Sequence, residues 1–148
     1  MRTEEFVMRG KTASGQTETL NFSGFKPGYA YRLTEFSLYP STGIGTQTHE
    51  VSGTIVAGKS SVLPTDPDFN NDGLIATSTM TAYSIPTGPT NHYSVINDTF
   101  LITQNLILMV IDTQSNPVNW QCKFMPVKLN KSEEAVANYK QFLISDDS

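Results

Sequence analysis

The side chains that could perform chemistry are few. Histidine occurs twice, at His49 and His92, and cysteine once, at Cys122. His49 stands beside Glu50 in an alternating stretch, and His92 lies between Asn91 and Tyr93. Neither has the sequence neighbours of a nucleophile and base, and both are expected on solvated strand faces. A cysteine nucleophile needs a partnering base and a depressed pKa. Trp120-Gln121-Cys122-Lys123-Phe124 instead reads as a half-buried strand with the thiol inside, where cysteine acts as a small hydrophobe. Being alone, it forms no intrachain disulfide. No glycine-rich loop leads into a helix, which removes nucleotide-phosphate chemistry. Carboxylate pairs of the glycosidase kind come from positions distant in sequence, so only a fold can assemble them. The residues read as a chain that is not an enzyme.

One local motif has the composition of an ion site. Asp68-Phe-Asn70-Asn-Asp72-Gly73-Leu-Ile75 resembles the start of the calcium loops of EF-hands and dockerin-like repeats, with oxygen-bearing side chains at alternate positions and glycine at the sixth. The resemblance implies Asp68, Asn70 and Asp72 as side-chain ligands and Leu74 as a carbonyl ligand. Calcium is the one cofactor it points to. The twelfth position is Thr79, where those families place a carboxylate, and a strand follows where a helix should. Asp66 or a neighbouring chain would have to complete the shell. The plainer reading is an acidic turn built on Pro67, Asn71 and Gly73.

Aromatic residues offer a second kind of site. Tyr29, Tyr31, Tyr39, Tyr83, Tyr93 and Trp120 could form a stacking platform for sugar rings, as carbohydrate-binding modules do, which would make a glycan a partner. Tyrosine at alternating spacing is more often half-buried sheet with its hydroxyl at the rim.

The elements that must position these residues are mostly strands. Glu5 to Thr12 and Thr17 to Phe22 read as a hairpin around Ala13-Ser14-Gly15-Gln16. Tyr29, Tyr31 and Leu33 alternate, then Phe36 and Leu38 alternate one residue out of step, which places a β-bulge near Thr34-Glu35. Pro40 ends that strand. Thr48 to Ala57 and Leu74 to Ser84 follow, separated by a turn-rich insertion, and Ile85 to Asn91 is loop. Tyr93 to Ile102 reads as one strand. Leu106 to Ile111 carries no polar residue and is expected to be central and covered on both faces. Val136, Tyr139 and Leu143 recur at helical spacing in a segment from about Lys131 to Ile144. Asn130 and Glu133 form its capping box. Their stripe is a candidate interface, expected by default to lie on the chain's own sheet. Short strands with turns every 8–12 residues predict a mostly β, single antiparallel β-sandwich or jelly-roll-like domain over 1–148, with one C-terminal helix.

Composition narrows the partners. Only 16% of residues are charged, against roughly 25% in an average chain, and Thr and Ser supply the polarity instead. Lys and Arg are absent between Lys59 and Lys123, while Asp66, Asp68, Asp72, Asp98 and Asp112 fall inside that stretch. No basic arm or patch is present to neutralise phosphates, so neither nucleic acid nor an anionic membrane surface is an expected partner. Met1-Arg2-Thr3-Glu4-Glu5 lacks the apolar stretch of a signal peptide, so none is expected. A Thr/Ser-rich, low-charge β domain with loops such as Ser84 to Asn91 and a terminal helix resembles small structural proteins of phages and other viruses, namely capsid-decorating, head-fibre or tail components. That resemblance implies synthesis in a host cytoplasm, a place in the virion, and packing against copies of itself and other virion proteins. A carbohydrate- or receptor-binding module is the alternative.

Overall fold

A computed structural model describes residues 4–22, 28–43, 46–58, 60–83 and 91–147, with the side chains of 134, 140–143 and 145–147 outside that description. Of the expected loop Ile85 to Asn91, residues 85–90 lie outside the described residues, as does the side chain of Leu143, and Asn91 already belongs to a strand. Eight strands precede one helix: β1 (Phe6–Thr12), β2 (Thr17–Leu20), β3 (Tyr29–Pro40), β4 (His49–Val56), β5 (Leu74–Ala82), β6 (Asn91–Ile96), β7 (Leu106–Asp112), β8 (Val118–Lys128) and α1 (Lys131–Asp147). All pairings are antiparallel, in a three-stranded sheet β1-β8-β3 and a five-stranded sheet β2-β7-β4-β5-β6. The partners nest, β1 with β8, β2 with β7 and β4 with β5. β6 pairs with β5, yet Ser94 Oγ also donates to the Phe36 carbonyl of β3 at 2.7 Å. The two sheets make an antiparallel β-sandwich, with β6 at the edge of the larger sheet and bonded to the smaller at Phe36.

Alternation explains which face goes inside. Phe6, Cys122, Phe124, Leu33, Phe36 and Leu38 of the smaller sheet meet Val51, Ile55, Ile75, Leu106, Leu108 and Val110 or their neighbours in one core. The phase slip in β3 is real: its register against β8 shifts between Leu33 and Glu35, so Tyr31 and Leu33 before it and Phe36 and Leu38 after it are all buried. At one end four rings pack together, with Phe22 edge-on to Phe124 at 5.0 Å, Phe6 stacked on Phe124 at 5.4 Å and Tyr31 5.5 Å from Phe6 and from Phe22. Gly53 faces Phe36 and Leu38 of β3, where a Cβ would stand 3.0 Å from Phe36 Cζ, so the absent side chain lets β3 approach the backbone of β4.

Four sequence expectations need correction. β1 and β2 do not form a hairpin. Gly15, at φ 80°, turns the chain out of the smaller sheet and into the larger, and its N–H donates to the Val110 carbonyl at 2.7 Å. The strand from Tyr93 stops at Ile96. Asn97 Oδ1 there accepts from the Thr99 hydroxyl at 2.8 Å, and the chain returns to pair Ile102 with Tyr31 as an isolated bridge. β7 is central but covered on one face only, because Ile107, Met109 and Ile111 point outward and are half-buried. α1 is capped as expected, with Asn130 Oδ1 accepting from Glu133 N–H at 2.8 Å. However, it turns Ala137 and Ile144 inward and leaves Val136 and Tyr139 exposed.

The other end of the sandwich is held by polar groups. Asp112 is buried at the end of β7, and its Oδ2 lies 3.0 Å from Nδ1 of the buried His49 on β4. Its Oδ1 accepts the Gln114 N–H at 2.9 Å, its carbonyl the Ser115 N–H at 2.8 Å, and its own N–H donates to Ser14 Oγ at 2.9 Å. One residue thereby ties β4, the β1–β2 crossover and the β7–β8 turn. Removing one partner of a buried hydrogen bond leaves the other unsatisfied, at about 1–3 kcal/mol. Asp112→Ala is accordingly expected to lower unfolding free energy by that amount in urea titration, and a loss below about 1 kcal/mol would refute the clamp.

Candidate functional site

His49, expected on a wet face, is in the core instead, because Val51 two residues on pairs with Asp112 and sets the inward phase of β4. Its Nε2 is buried with no hydrogen-bond partner. His92 is exposed on β6. Cys122 faces inward on β8, fully buried; burial first, and the carboxylate of Glu35 second, push its thiol well above the ordinary range. A thiol so held stays protonated and is a poor nucleophile.

The acidic loop lies at the close of the insertion between β4 and β5. Asp68 Oδ1 accepts the Asn70 N–H and Asn71 Oδ1 accepts the Gly73 N–H, both at 2.9 Å, giving two side-chain-capped turns in succession. Ala57 N–H donates to the Gly73 carbonyl at 2.7 Å, and a Cβ on residue 73 would stand 2.5 Å from the Ala57 carbonyl oxygen, so glycine is required by strand approach. Asp68 and Asp72 line a cleft of about 350 Å³ with Ser60, Asn71 and Ile144. Asn70 and Leu74, the other two residues of the calcium resemblance, are not among its described walls. No group of three or more His, Cys, Asp or Glu side chains suited to a metal occurs among the described residues. The residue after the loop enters β5, and Thr79 is exposed on that strand.

The six aromatics do not assemble. Tyr31 and Trp120 are core residues, with the indole N–H donating to Thr12 Oγ1 at 2.9 Å. Tyr39 is exposed on the smaller sheet and Tyr93 on the larger. Val136 and Tyr139, three residues apart and so on one face of α1, are both exposed; Val136 borders a cleft of about 380 Å³ between α1 and Phe100-Leu101.

What the fold builds instead is an outward surface on the five-stranded sheet. Register places Ile111, Ser52, Thr79 and Tyr93 in one row across four strands and Met109, Thr54, Thr77 and Val95 in the next. The insertion folds over part of this face, anchored by Thr54 Oγ1 donating to the Val62 carbonyl and by the buried Pro64. The result is a cleft of about 470 Å³ among Glu50, Thr65, Thr77, Thr79, Tyr93 and Ile111. Val95 borders both it and a second hollow that contains Phe69. Tyr93, Val95 and Phe69 are 73%, 50% and 65% exposed, and they form a strip beside β6, the edge strand of the sheet. The alternation of Tyr93 and Val95 was visible in sequence. Their alignment with Thr79 and Thr77 required the pairing register.

On the smaller sheet the outward residues Arg9, Lys11, Ser37, Tyr39, Asn119 and Gln121 bound a cleft of about 670 Å³, with Gly10, Leu38 and Trp120 completing its walls. Fold and surface together define an antiparallel β-sandwich whose accessible features are sheet faces and one uncharged edge. No family model matches the chain, and no curated protein matches it.

A buried, protonated thiol should not react with an aromatic disulfide reagent while the chain is folded. Cys122 is expected to label stoichiometrically only in denaturant; rapid labelling of the native protein would contradict its placement.

Proposed function

We propose that this chain is a non-enzymatic structural subunit of a virion, one that packs on or decorates a capsid or tail through contacts with copies of itself and with other virion proteins. The observation that carries the reading is the strip of Phe69, Val95 and Tyr93. Interface centres are enriched in aromatic residues and depleted in Lys, Glu and Asp, and β6 contains no charged residue besides a histidine. Edge strands of solitary proteins are commonly blunted by Lys or Pro, and β6 has neither. Jelly-roll sandwiches serve in viral shells and in lectins alike, so the fold agrees with the reading by analogy and the surface supplies the argument. Neither nucleic acid nor membrane is part of the proposal; no described helix is long and apolar enough to cross a bilayer.

A second reading, a glycan- or receptor-binding module, is favoured by the cleft at Tyr93. There one exposed ring stands among the hydroxyls of Thr65, Thr77 and Thr79 and the carboxylate of Glu50, a mix suited to a sugar's apolar face and polar edge. Calcium at Asp68 and Asp72 accompanies either reading as a proposal, with a neighbouring chain supplying further ligands.

In a concentration series followed by light scattering, the protein is expected to grow beyond monomer mass. Phe69→Ala with Tyr93→Ala should weaken that association at least tenfold with little change in melting temperature. A monomer at every concentration that binds a glycan through Tyr93 would replace the first reading with the second. Calcium binding to the folded state must raise the melting temperature, and Asp72→Asn should abolish the rise; no rise in the parent protein removes the ion.

A further inference from the structure

The fold sorts charge in a way that composition conceals. Every Lys and Arg carried by a strand belongs to the three-stranded sheet: Arg9 and Lys11 on β1, Arg32 on β3, and Lys123 and Lys128 on β8. Glu35 is the one carboxylate among those strands. The strands of the five-stranded sheet carry no Lys or Arg, and they bring Glu18, Glu50 and the buried Asp112. The two outward clefts repeat the division. That of the smaller sheet has Arg9 and Lys11 and no carboxylate among its described walls. That of the larger sheet has Glu50 and no cation among its described walls, and exposed Asp66 lies in the loop that forms one wall.

We infer that copies of this chain stack head to tail, the outer face of the five-stranded sheet of one copy lying on the outer face of the three-stranded sheet of the next. The inference rests on the packing-subunit reading and names its partner and geometry. A two-fold contact would lay the face bearing Arg9 and Lys11 on a copy of itself, or the face bearing Glu50 and Asp66 on a copy of itself, which gathers like charges on both sides of the seam. The heterologous contact sets Arg9 and Lys11 against Glu50 and Asp66, whereas the one carboxylate on the strands of the three-stranded sheet, half-buried Glu35, is already bonded to Ser37 and Gln121. It also seats the exposed Tyr93 and Val95 of one copy over the cleft beside the exposed Tyr39 of another. Each copy keeps one unused face, so the contact propagates into a ring or an open stack. Charge attraction of this kind reaches about 8 Å at physiological ionic strength and shrinks as salt rises.

The test uses the full chain and two surface variants, Arg9→Glu with Lys11→Glu, and Glu50→Lys with Asp66→Lys. All four side chains are exposed, and Glu50 is held by its backbone N–H on Thr113 Oγ1, so folding is checked by melting temperature. Sedimentation velocity should show the parent protein associating, at least tenfold more weakly in high salt than in low. Each variant alone carries two like-charged faces and should stay near monomer mass, while an equimolar mixture should recover assembly. Arg9→Gln with Lys11→Gln, which removes charge without reversing it, should fall between. If both reversed variants assemble like the parent while Phe69→Ala with Tyr93→Ala does not, the packing-subunit reading stands and head-to-tail stacking is wrong. A mixture that remains monomeric also overturns the stacking. A parent protein that stays monomeric at both salts overturns the two together.

Discussion

The sandwich depends on a carboxylate that water never reaches. Asp112 closes the end of the core opposite the aromatic cluster, and each of its polar atoms is hydrogen-bonded, one of them to the buried His49. His49 Nδ1 belongs to the neighbouring strand, Ser14 to the crossover between sheets, and Gln114 and Ser115 to the turn into β8. Buried polar groups are costly unless paired, so this arrangement specifies one way of joining the strands. A hairpin of β1 on β2 would leave Ser14 away from Asp112. The crossover is therefore bound to the same contact that holds β4 and β7 in register.

With one end clamped by hydrogen bonds and the other filled by Phe6, Phe22, Tyr31 and Phe124, the sheets need little from their outer faces. Those faces are free to carry Thr, Ser and a few apolar side chains without charged pairs to hold them. Among the described residues Lys and Arg form one ion pair, exposed, between Lys123 and Glu5 at 3.2 Å, beside the buried His49–Asp112 hydrogen bond. Exposed pairs of this sort contribute about 1 kcal/mol at most. A low-charge surface is thus compatible with the fold's own stability, and its consequence falls on association: little desolvation of ions opposes contact with a second molecule.

Local features of the sequence were legible because neighbouring residues decide them. The slip of phase between Leu33 and Phe36 marked the bulge, Pro40 the end of β3, and Asn130 with Glu133 the cap of α1. The candidate sites were legible only as composition. Asp68, Asn70 and Asp72 do lie in a tight acidic loop, but the two capped turns use Asp68 and Asn71 as turn-forming acceptors, and Gly73 answers the approach of Ala57. Tyr93 gained its meaning from Thr79 on the next strand, and Phe69 from Val95 across a loop.

By itself the sequence determined a β domain with a helix at its end, the inward set of most strands, and a chain short of chemistry-bearing side chains. Alternation and turn residues are read over a few positions, and burial of one pleated face follows from them. Which sheet each strand joins was decided only in three dimensions. The choice turns on contacts between residues distant in sequence, such as Ser14 with Asp112 and Ser94 with Phe36. That choice gathered the strand-borne cations on one sheet and left the other without any. It also put His49 in the core and set Tyr93, Val95 and Phe69 along an open edge, since side-chain direction in a sheet belongs to the pairing and not to the strand alone.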